Sequence, residues 1–506
     1  MFAFFRLFRI LRLLLAQDAL LPPDFHSRAP PRIRFLRRLV AFGAPRFADG
    51  ARGDALATRI AKLGPLYIKL GQFLATRPDI IGVAMAHDLG HLQDRMTPFS
   101  EAEVAAELAR AAEDPDAFWE NRGAAVAAAS IAQVHRATHP KDKSALAVKI
   151  LRPNIEAILA RELRVWRRLA RAAERVSAEM RRLKPVAMVD TLAQSVAMEC
   201  DMRLEAAALS EMAENTADDA GFRVPRVVWE STSRRVLTME WIDGVPITDL
   251  PALEKAGHDL RPLATRLIRL FLTHALRDGF FHADMHQGNL LVAPDGTLVG
   301  IDFGITGRID ETERRFLAEI LHGFITRDYR RVAQIHFDAN YVPPHHMRDA
   351  FAQALRAIGE PIHDRNADLI SMAELLTLLF DVTRRFDMAT QPQLLLLQKT
   401  MVTVEGVART LDPQLNIWQA AAPIVSDWLE KQVGPPAILR DVAENARDAM
   451  DAFKKLPDTL AKIERGVDAL DVMAQAANRP RPRFGRFAAL AVALAALAAA
   501  LAVWTQ

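Results

Sequence analysis

An α+β chain of two lobes, with a helical extension before them and a membrane helix after them, is the fold the sequence predicts. Three observations predict it. Short apolar stretches bounded by turn residues gather between residues 123 and 244, at 126–134, 146–150, 224–228 and 235–239. Beyond Gly304 apolar residues recur every three or four positions over about 310–325, 347–358, 367–386, 392–410 and 437–476, the period of packed amphipathic helices. Between these regions lies a polar segment, Phe281-His282-Ala283-Asp284-Met285-His286-Gln287-Gly288-Asn289, followed by a short apolar strand that ends in Asp302-Phe303-Gly304.

Composition limits the function classes. Half of the 506 residues are apolar, enough to bury a large core shared by more than one lobe. The formal net charge is only +3, so the total carries no footprint for nucleic acid. The charge is uneven: residues 1–38 hold eight Arg against two Asp, a local +6 that leaves −3 elsewhere. Such a patch suits an anionic membrane surface as well as nucleic acid. The single cysteine, Cys200, excludes an intramolecular disulfide and fits a reducing compartment.

Residues 1–50 form a basic amphipathic segment. Arg6, Arg9 and Arg12 recur among Phe and Leu, which leaves a broad apolar face for a bilayer interface or for the protein's own core. Residues 51–122 are the helical extension. Pro65 suits a helix's first turn and Pro78 would end it; Lys69 lies mid-helix in an apolar run and alone reads as a snorkelling surface lysine. Ser100 and Glu103 make a capping box that opens a helix through about residue 112.

Residues 123–244 form the first lobe. Val126-Ala127-Ala128-Ala129-Ser130-Ile131-Ala132-Gln133-Val134 has the spacing of a phosphate-covering hairpin, G-x-G-x-x-G-x-V, with Ala127, Ala129 and Ala132 where the glycines would stand. A Cβ at each point penalises positive φ and holds the backbone farther from a phosphate. Lys149 follows in the strand Leu146-Ala147-Val148-Lys149-Ile150, and a helix is expected from Pro153 to about residue 182. Glu199, Asp201 and Glu205 then come within seven residues, with Asp201 and Glu205 on one helical face, and one of these acids should pair with Lys149. The strand at 235–239 breaks into Glu240-Trp241-Ile242-Asp243-Gly244-Val245-Pro246, a hinge with backbone groups for adenine.

Residues 245–440 form the second lobe. Phosphoryl transfer needs a carboxylate beside the nucleophile and an amide and a carboxylate oxygen on Mg²⁺. Asp284, Asn289 and Asp302 supply these groups in the order and approximate spacing of protein kinases. A metal-hydrolase cluster of His282, Asp284 and His286 competes, but it leaves the Asn and the Asp-Phe-Gly unexplained. Residues 441–486 are a helix and an Arg/Pro linker; residues 487–504 are eighteen without a charge. Those eighteen span roughly 27 Å, close to a hydrocarbon core. Arg479, Arg481, Arg483 and Arg486 place the preceding flank on the cytoplasmic side, and Trp504 suits the far interface.

Taken together these motifs resemble the UbiB family of atypical kinases, which have a two-lobed protein-kinase-like fold and function in ubiquinone biosynthesis. The resemblance rests on Lys69-Leu70-Gly71-Gln72 (K-x-G-Q), the Ala-rich loop, Glu199-Cys200-Asp201 (E-x-D), the catalytic segment, and Leu397-Gln398-Lys399-Thr400 through Val404-Glu405-Gly406. It implies that Lys69, with Gln72 beside it, meets Glu199 and Asp201 over the active site, which leaves Glu205 for Lys149. It further implies ATP and Mg²⁺ as cofactors, with Lys149 on the phosphates, Asn289 and Asp302 on the metal and Asp284 on the nucleophile. Gln287 stands where similar proteins often have Pro, which should stiffen the loop less. The implied setting is a bacterial inner membrane, with one C-terminal span and a cytoplasmic catalytic domain. Implied partners are membrane lipid, polyprenyl and quinone intermediates, other ubiquinone-biosynthesis enzymes and a second copy in a homodimer.

Overall fold

The computed structural model describes residues 52–75, 96–176, 184–364 and 392–433, with isolated positions elsewhere. Contacts divide the chain into Met1–Leu429 and Glu430–Gln506, and the candidate site belongs wholly to the first. The expected segments at 1–15, 437–476 and 487–504, and most of 367–386, lie outside the described residues. Among the described residues no helix is long and apolar enough to cross a membrane.

Ten strands follow in chain order: β1 Ala125–Ala128, β2 Ala132–Thr138, β3 Ala145–Leu151, β4 Phe222–Arg223, β5 Val236–Glu240, β6 Val245–Pro246, β7 Phe280–His282, β8 Leu290–Val292, β9 Leu298–Gly300 and β10 Thr306–Arg308. The first sheet has the order β1-β2-β3-β5 and is antiparallel throughout. Its central strand shows why Lys149 is buried. Side chains alternate between faces with period two, so Leu146, Val148 and Ile150 enter one apolar cluster with Val104 and Leu108. Ala147 and Leu151 enter the other, larger cluster, and Lys149 stands between them on that face. Helix Glu101–Ala111 closes the first face and opens with the expected Ser100 capping box; such a cap contributes about 1 kcal/mol.

The strand expected at 224–228 is not formed. Only Phe222–Arg223 pairs, in parallel with β9, and Val227 makes a single bridge to Met239. Pro225 between them has no N–H to give to a ladder. Helix Ile155–Val176 occupies the region expected to be helical after Pro153.

Two small sheets flank the segment from His282 to Gly304: β4-β9-β8-β6, and the pair β10-β7. Helix Leu260–Thr273 supports them with Leu263, Leu267, Leu270 and Phe271 buried, and helix Pro392–Leu411 packs against it. Fully burying each such side chain contributes about 1.5–3 kcal/mol. One wider turn, His274–Asp278, then ends at Gly279 with φ 64°. A Cβ there would come 2.5 Å from the Ile309 carbonyl oxygen, so only glycine lets the chain reverse into β7. A second cluster around Tyr329, Phe351 and Leu355 joins helices Tyr329–Asp338 and Arg348–Asp364.

Candidate active site

Lys149 is the centre of the arrangement. Its ammonium donates to both Glu205 oxygens, at 2.7 and 2.9 Å, and to Asp302 Oδ2 at 3.0 Å. Glu205 lies in the first turn of helix Met202–Asn215, and Asp302 follows directly on β9 and Ile301. Three segments separated by 56 and 153 residues along the chain thus meet at one cation. Burial disfavours the charge on Lys149, but the carboxylates of Asp302 and Glu205 outweigh it and raise its pKa above the usual lysine range. Burial pushes Glu205 up to about 7, against the pull of Lys149. Burial also works against the Asp302 carboxylate, yet Lys149 and the Gly304 N–H hold it below the ordinary range. That N–H reaches Oδ1 at 3.0 Å, so the two oxygens of Asp302 serve different partners.

The catalytic segment begins on β7. His282 is buried against the Phe303 ring, with centroids 4.6 Å apart. Burial pushes its pKa down to about 4, so the ring is neutral. Its Nδ1 accepts the Asp284 N–H at 3.2 Å, which leaves the ring proton on Nε2. Asn289 donates from Nδ2 to the Asp284 carbonyl at 3.0 Å, and its own carbonyl accepts the Ile301 N–H at 3.0 Å. The residue after Asn289, Leu290, pairs with Gly300. Asn289 therefore ties the backbone beside Asp284 to the backbone beside Asp302. Its Nδ2 being committed, Oδ1 is the donor it can offer, and Asp302 offers carboxylate oxygen. Both are the hard oxygen ligands that suit Mg²⁺. His282, Asp284 and His286 do not converge as a metal cluster. Among the described residues the ligand atoms that lie within 4.8 Å of one another belong to His345, His346 and Asp387, away from this segment in the chain.

The Ala-rich segment is a hairpin: Ala127 pairs with Val134, Ala128 with Gln133, and the Ala129 N–H donates to the Ala132 carbonyl at 2.7 Å. No residue of this hairpin is among the non-glycine positions of positive φ, so alanine is unstrained throughout. The carbonyls of Ala128, Ala129 and Ile131 accept from Met96 N, Arg152 Nε and Arg152 N at 2.7–3.0 Å. Val134 stands opposite Lys149 and Ala132 opposite Leu151, on the face of the ammonium. Gln133 does not reach that face. It stands opposite Ile150, accepts the Phe99 N–H at 2.8 Å and meets His135 at 2.8 Å. Ser130 and Ile131 are buried at the tip, and Val126 is exposed on the outer strand.

Helix Pro65–Ala75 buries Lys69, whose ammonium lies 2.5 Å from Glu199 Oε2. The snorkelling alternative therefore fails. Asp201 does not join them. Helix Pro185–Glu199 ends there, and Asp201 begins the next helix as its N-cap, accepting the Arg203 N–H and pairing with the Arg203 side chain at 2.7 Å. Aspartate is among the best N-cap residues, so the local break wins over one shared helical face. Gln72 Oε1 is buried with no hydrogen-bond partner among the described residues. Burial, then the nearby Glu199, pushes the Cys200 thiol up to about 12, which suits a packed side chain.

At the hinge, the Glu240 and Trp241 N–H groups are spent on the Arg226 and Ala145 carbonyls. An adenine-facing N–H would therefore have to come from a residue after Trp241. Gly244 lies so close to β8 that a Cβ would meet the Val292 carbonyl oxygen at 3.1 Å.

Sequence reasoning assigned no role to Lys399. Its ammonium lies 3.6 Å from Asp284 Oδ1, and the neighbouring Thr400 hydroxyl donates to the Ala283 carbonyl at 2.9 Å. A lysine directly after four leucines, Leu394 to Leu397, and Gln398 was the available signal.

Residues 91–336 match an ABC1 atypical kinase-like domain, and residues 355–416 a UbiB helical domain. A relative from Aeromonas salmonicida, named probable protein kinase UbiB, is 38% identical over 91% of this chain and 86% of its own length. Relatives of the same name from Marinobacter nauticus and Edwardsiella ictaluri are 38% and 36% identical, over 80% and 95% of this chain and 75% and 90% of their own. A Mycobacterium tuberculosis protein solved in complex with erythromycin aligns over 63% of this chain and 84% of its own at 24% identity, with a TM-score of 0.45. The chain belongs to the UbiB family of atypical, protein-kinase-like proteins.

Proposed function

We propose that this chain is an ATP- and Mg²⁺-dependent atypical kinase or ATPase, serving ubiquinone biosynthesis beside the bacterial inner membrane by acting on or presenting polyprenyl-phenol intermediates. The observation that carries it is Lys149 held between Glu205 and Asp302, with Asn289 tying the Asp284 loop to the Asp302 strand. A Mg²⁺ ion held at this site would supply positive charge against the charge that develops on the phosphates. Lys149 would contact the α/β-phosphates while Glu205 keeps the ammonium in place. Asn289 Oδ1 and Asp302 would hold the metal. Asp284 would orient and deprotonate the nucleophile, its backbone fixed by neutral His282 and by Asn289. Ala132 and Val134, on the Lys149 face of the sheet, would line the nucleotide side of the hairpin.

A buried Lys69–Glu199 pair tethers the extension to the first lobe, which favours a small or lipid-like acceptor over a protein one. The relatives' name favours the second reading, a Ser/Thr protein kinase acting on a ubiquinone-pathway enzyme. ATP hydrolysis measured with and without anionic liposomes and a phenolic quinone precursor decides between them. Stimulation by lipid and precursor that is lost in Asp284→Asn and Asp302→Asn supports the lipid reading. Phosphate transfer to a pathway protein supports the second, and wild-type turnover in both variants removes the catalytic reading. The membrane setting rests on residues 487–504 and the Arg residues before them. Deleting residues 487–506 should release the protein from vesicles, and continued sedimentation would leave anchoring to residues 1–50.

A further inference from the structure

We propose that Lys399 is a catalytic residue: the cation that faces the transferred phosphoryl group, delivered to the site by the helical domain. This rests on the phosphotransferase reading above and deepens it. Lys399 lies on helix Pro392–Leu411, more than a hundred residues after Asp284, yet its ammonium is 3.6 Å from Asp284 Oδ1. The placement is built. Thr400, fully buried, donates to the Ala283 carbonyl at 2.9 Å and to the Leu396 carbonyl at 2.8 Å, which pins this turn of the helix to the residue before Asp284. Leu397, Val404 and Ala408 sink into the main core on the same helix. Lys399 itself is left partly open, its side chain 28% exposed beside an Asp284 side chain that is 26% exposed.

Charge makes the case. Lys149 is committed at 2.7 and 3.0 Å to Glu205 and Asp302. Among the described residues His286 also stands beside Asp284, 3.7 Å from Oδ2, and the neutral, buried His282 faces both Asp284 and Asp302. Of the hairpin's own donors, the Ala129 N–H is spent on the Ala132 carbonyl at 2.7 Å, and the alanines keep the backbone back. A loose phosphoryl-transfer transition state spreads negative charge over the equatorial oxygens. A nucleophile held by Asp284 places that group one contact from Oδ1, where Lys399 already stands. The four-carbon stem lets the ammonium swing from carboxylate to phosphoryl oxygen. The nucleophile's oxygen then bonds to the γ-phosphorus, and the bond from phosphorus to the β,γ-bridging oxygen breaks with its electron pair leaving on ADP. The nucleophile's proton passes to Asp284, whose Oδ1 the lysine has just released. Lys399 transfers no atom; it donates a hydrogen bond to a non-bridging oxygen.

The test compares Lys399→Met with Asp284→Asn and Asp302→Asn in the full chain with Mg²⁺. Removing one such donor costs about 10²–10³ in turnover. Lys399→Met should lose that much in kcat while ADP affinity stays within about twofold, because the cation meets only the group that is transferred. Equal losses in kcat and ADP affinity, or an unchanged kcat, would overturn the assignment. In the unsubstituted protein, amine-reactive labelling of Lys399 should fall when a non-hydrolysable ATP analogue binds and stay unchanged with ADP. Equal labelling in both states overturns it even if the variant does not fold. Loss of turnover in the two Asp variants with none in Lys399→Met sinks Lys399 alone; wild-type turnover in all three sinks the phosphotransferase reading itself.

Discussion

Replacing Lys149 by methionine tests the electrostatic core of the site. The substitution keeps the length of the stem and removes the charge that offsets two carboxylates. Glu205 is nearly fully buried, whereas the Asp302 side chain is 41% exposed and solvent screens its share. Breaking a buried pair by removing one partner costs about 3–5 kcal/mol, and the lower end applies because only one of the two acids is buried. Protonation of Glu205 offers a way out, which gives the deficit a pH dependence. The folded-state pKa of Glu205, about 7, is above its unfolded value. Its contribution is therefore fully present below the unfolded value and lost as pH rises through about 7. Without the ammonium the folded value climbs further, so the variant's deficit should grow with pH. Urea unfolding at pH 6 and pH 8.5 measures this. At a slope of about 3 kcal/mol per M the midpoint should fall by about 1 M at the higher pH and by clearly less at the lower. A deficit that is constant, or that shrinks as pH rises, would show that Glu205 does not carry the cost.

Glu199→Gln leaves Lys69 buried with a neutral partner and should destabilise the packing of helix Pro65–Ala75 by about 3 kcal/mol, read as faster protease cleavage between residues 61 and 96; an unchanged cleavage rate would show that the pair does not hold the helix. Asp201→Ala removes an N-cap and should cost about 1 kcal/mol without speeding that cleavage, because Asp201 bonds Arg203 and not Lys69. Ala127→Gly should lower the melting temperature slightly, since glycine weakens a strand by about 0.5–1 kcal/mol, and should shift MgATP affinity; unchanged affinity would refute the steric role of that Cβ.

Most of the segment from His282 to Gly304 was legible as a unit because the spacing of Asp284, Asn289 and Asp302 is one that few other folds need. Asp284, Asn289 and Asp302 lie within nineteen residues, in the loop after β7, just before β8 and just after β9. Lys149 was legible as a lone charge in a strand whose other positions are apolar, and such a charge must find a carboxylate. The expected shared face of Asp201 and Glu205 is not formed, because i, i+4 spacing assumes one continuous helix and Asp201 caps a new one. A short polar side chain that can satisfy the first N–H groups of a helix often starts one instead, and nothing in the local pattern separates the two cases. Gln133 erred for a related reason. The loop spacing fixes which residues form a hairpin, but period-two alternation decides which of them face Lys149, and that needs the register to β3. Lys399 was visible as a charge on a helix with four leucines near its start, but the loop that brings it to Asp284 spans 115 residues, beyond what periodicity can close.

The two acids that hold Lys149 are not interchangeable, and the difference bears on how the site would work. Glu205 is sequestered in the first turn of its helix and gives both oxygens to the ammonium. Asp302 gives one oxygen, holds the other on Gly304 and is open to solvent. A cation arriving from solvent on Asp302 therefore competes with Lys149 there and leaves the Glu205 bonds intact. Lys149 would then be freed on one side only, toward the space in front of Asp302, while Glu205 fixes its stem. Glu205→Gln should accordingly weaken nucleotide binding whether or not Mg²⁺ is present, because the neutral amide no longer holds the ammonium. Asp302→Asn should weaken it only in the presence of Mg²⁺, measured by titration with ATP in magnesium buffer and in chelator. Equal losses in both buffers for Asp302→Asn would mean that Asp302 serves the lysine and not the metal.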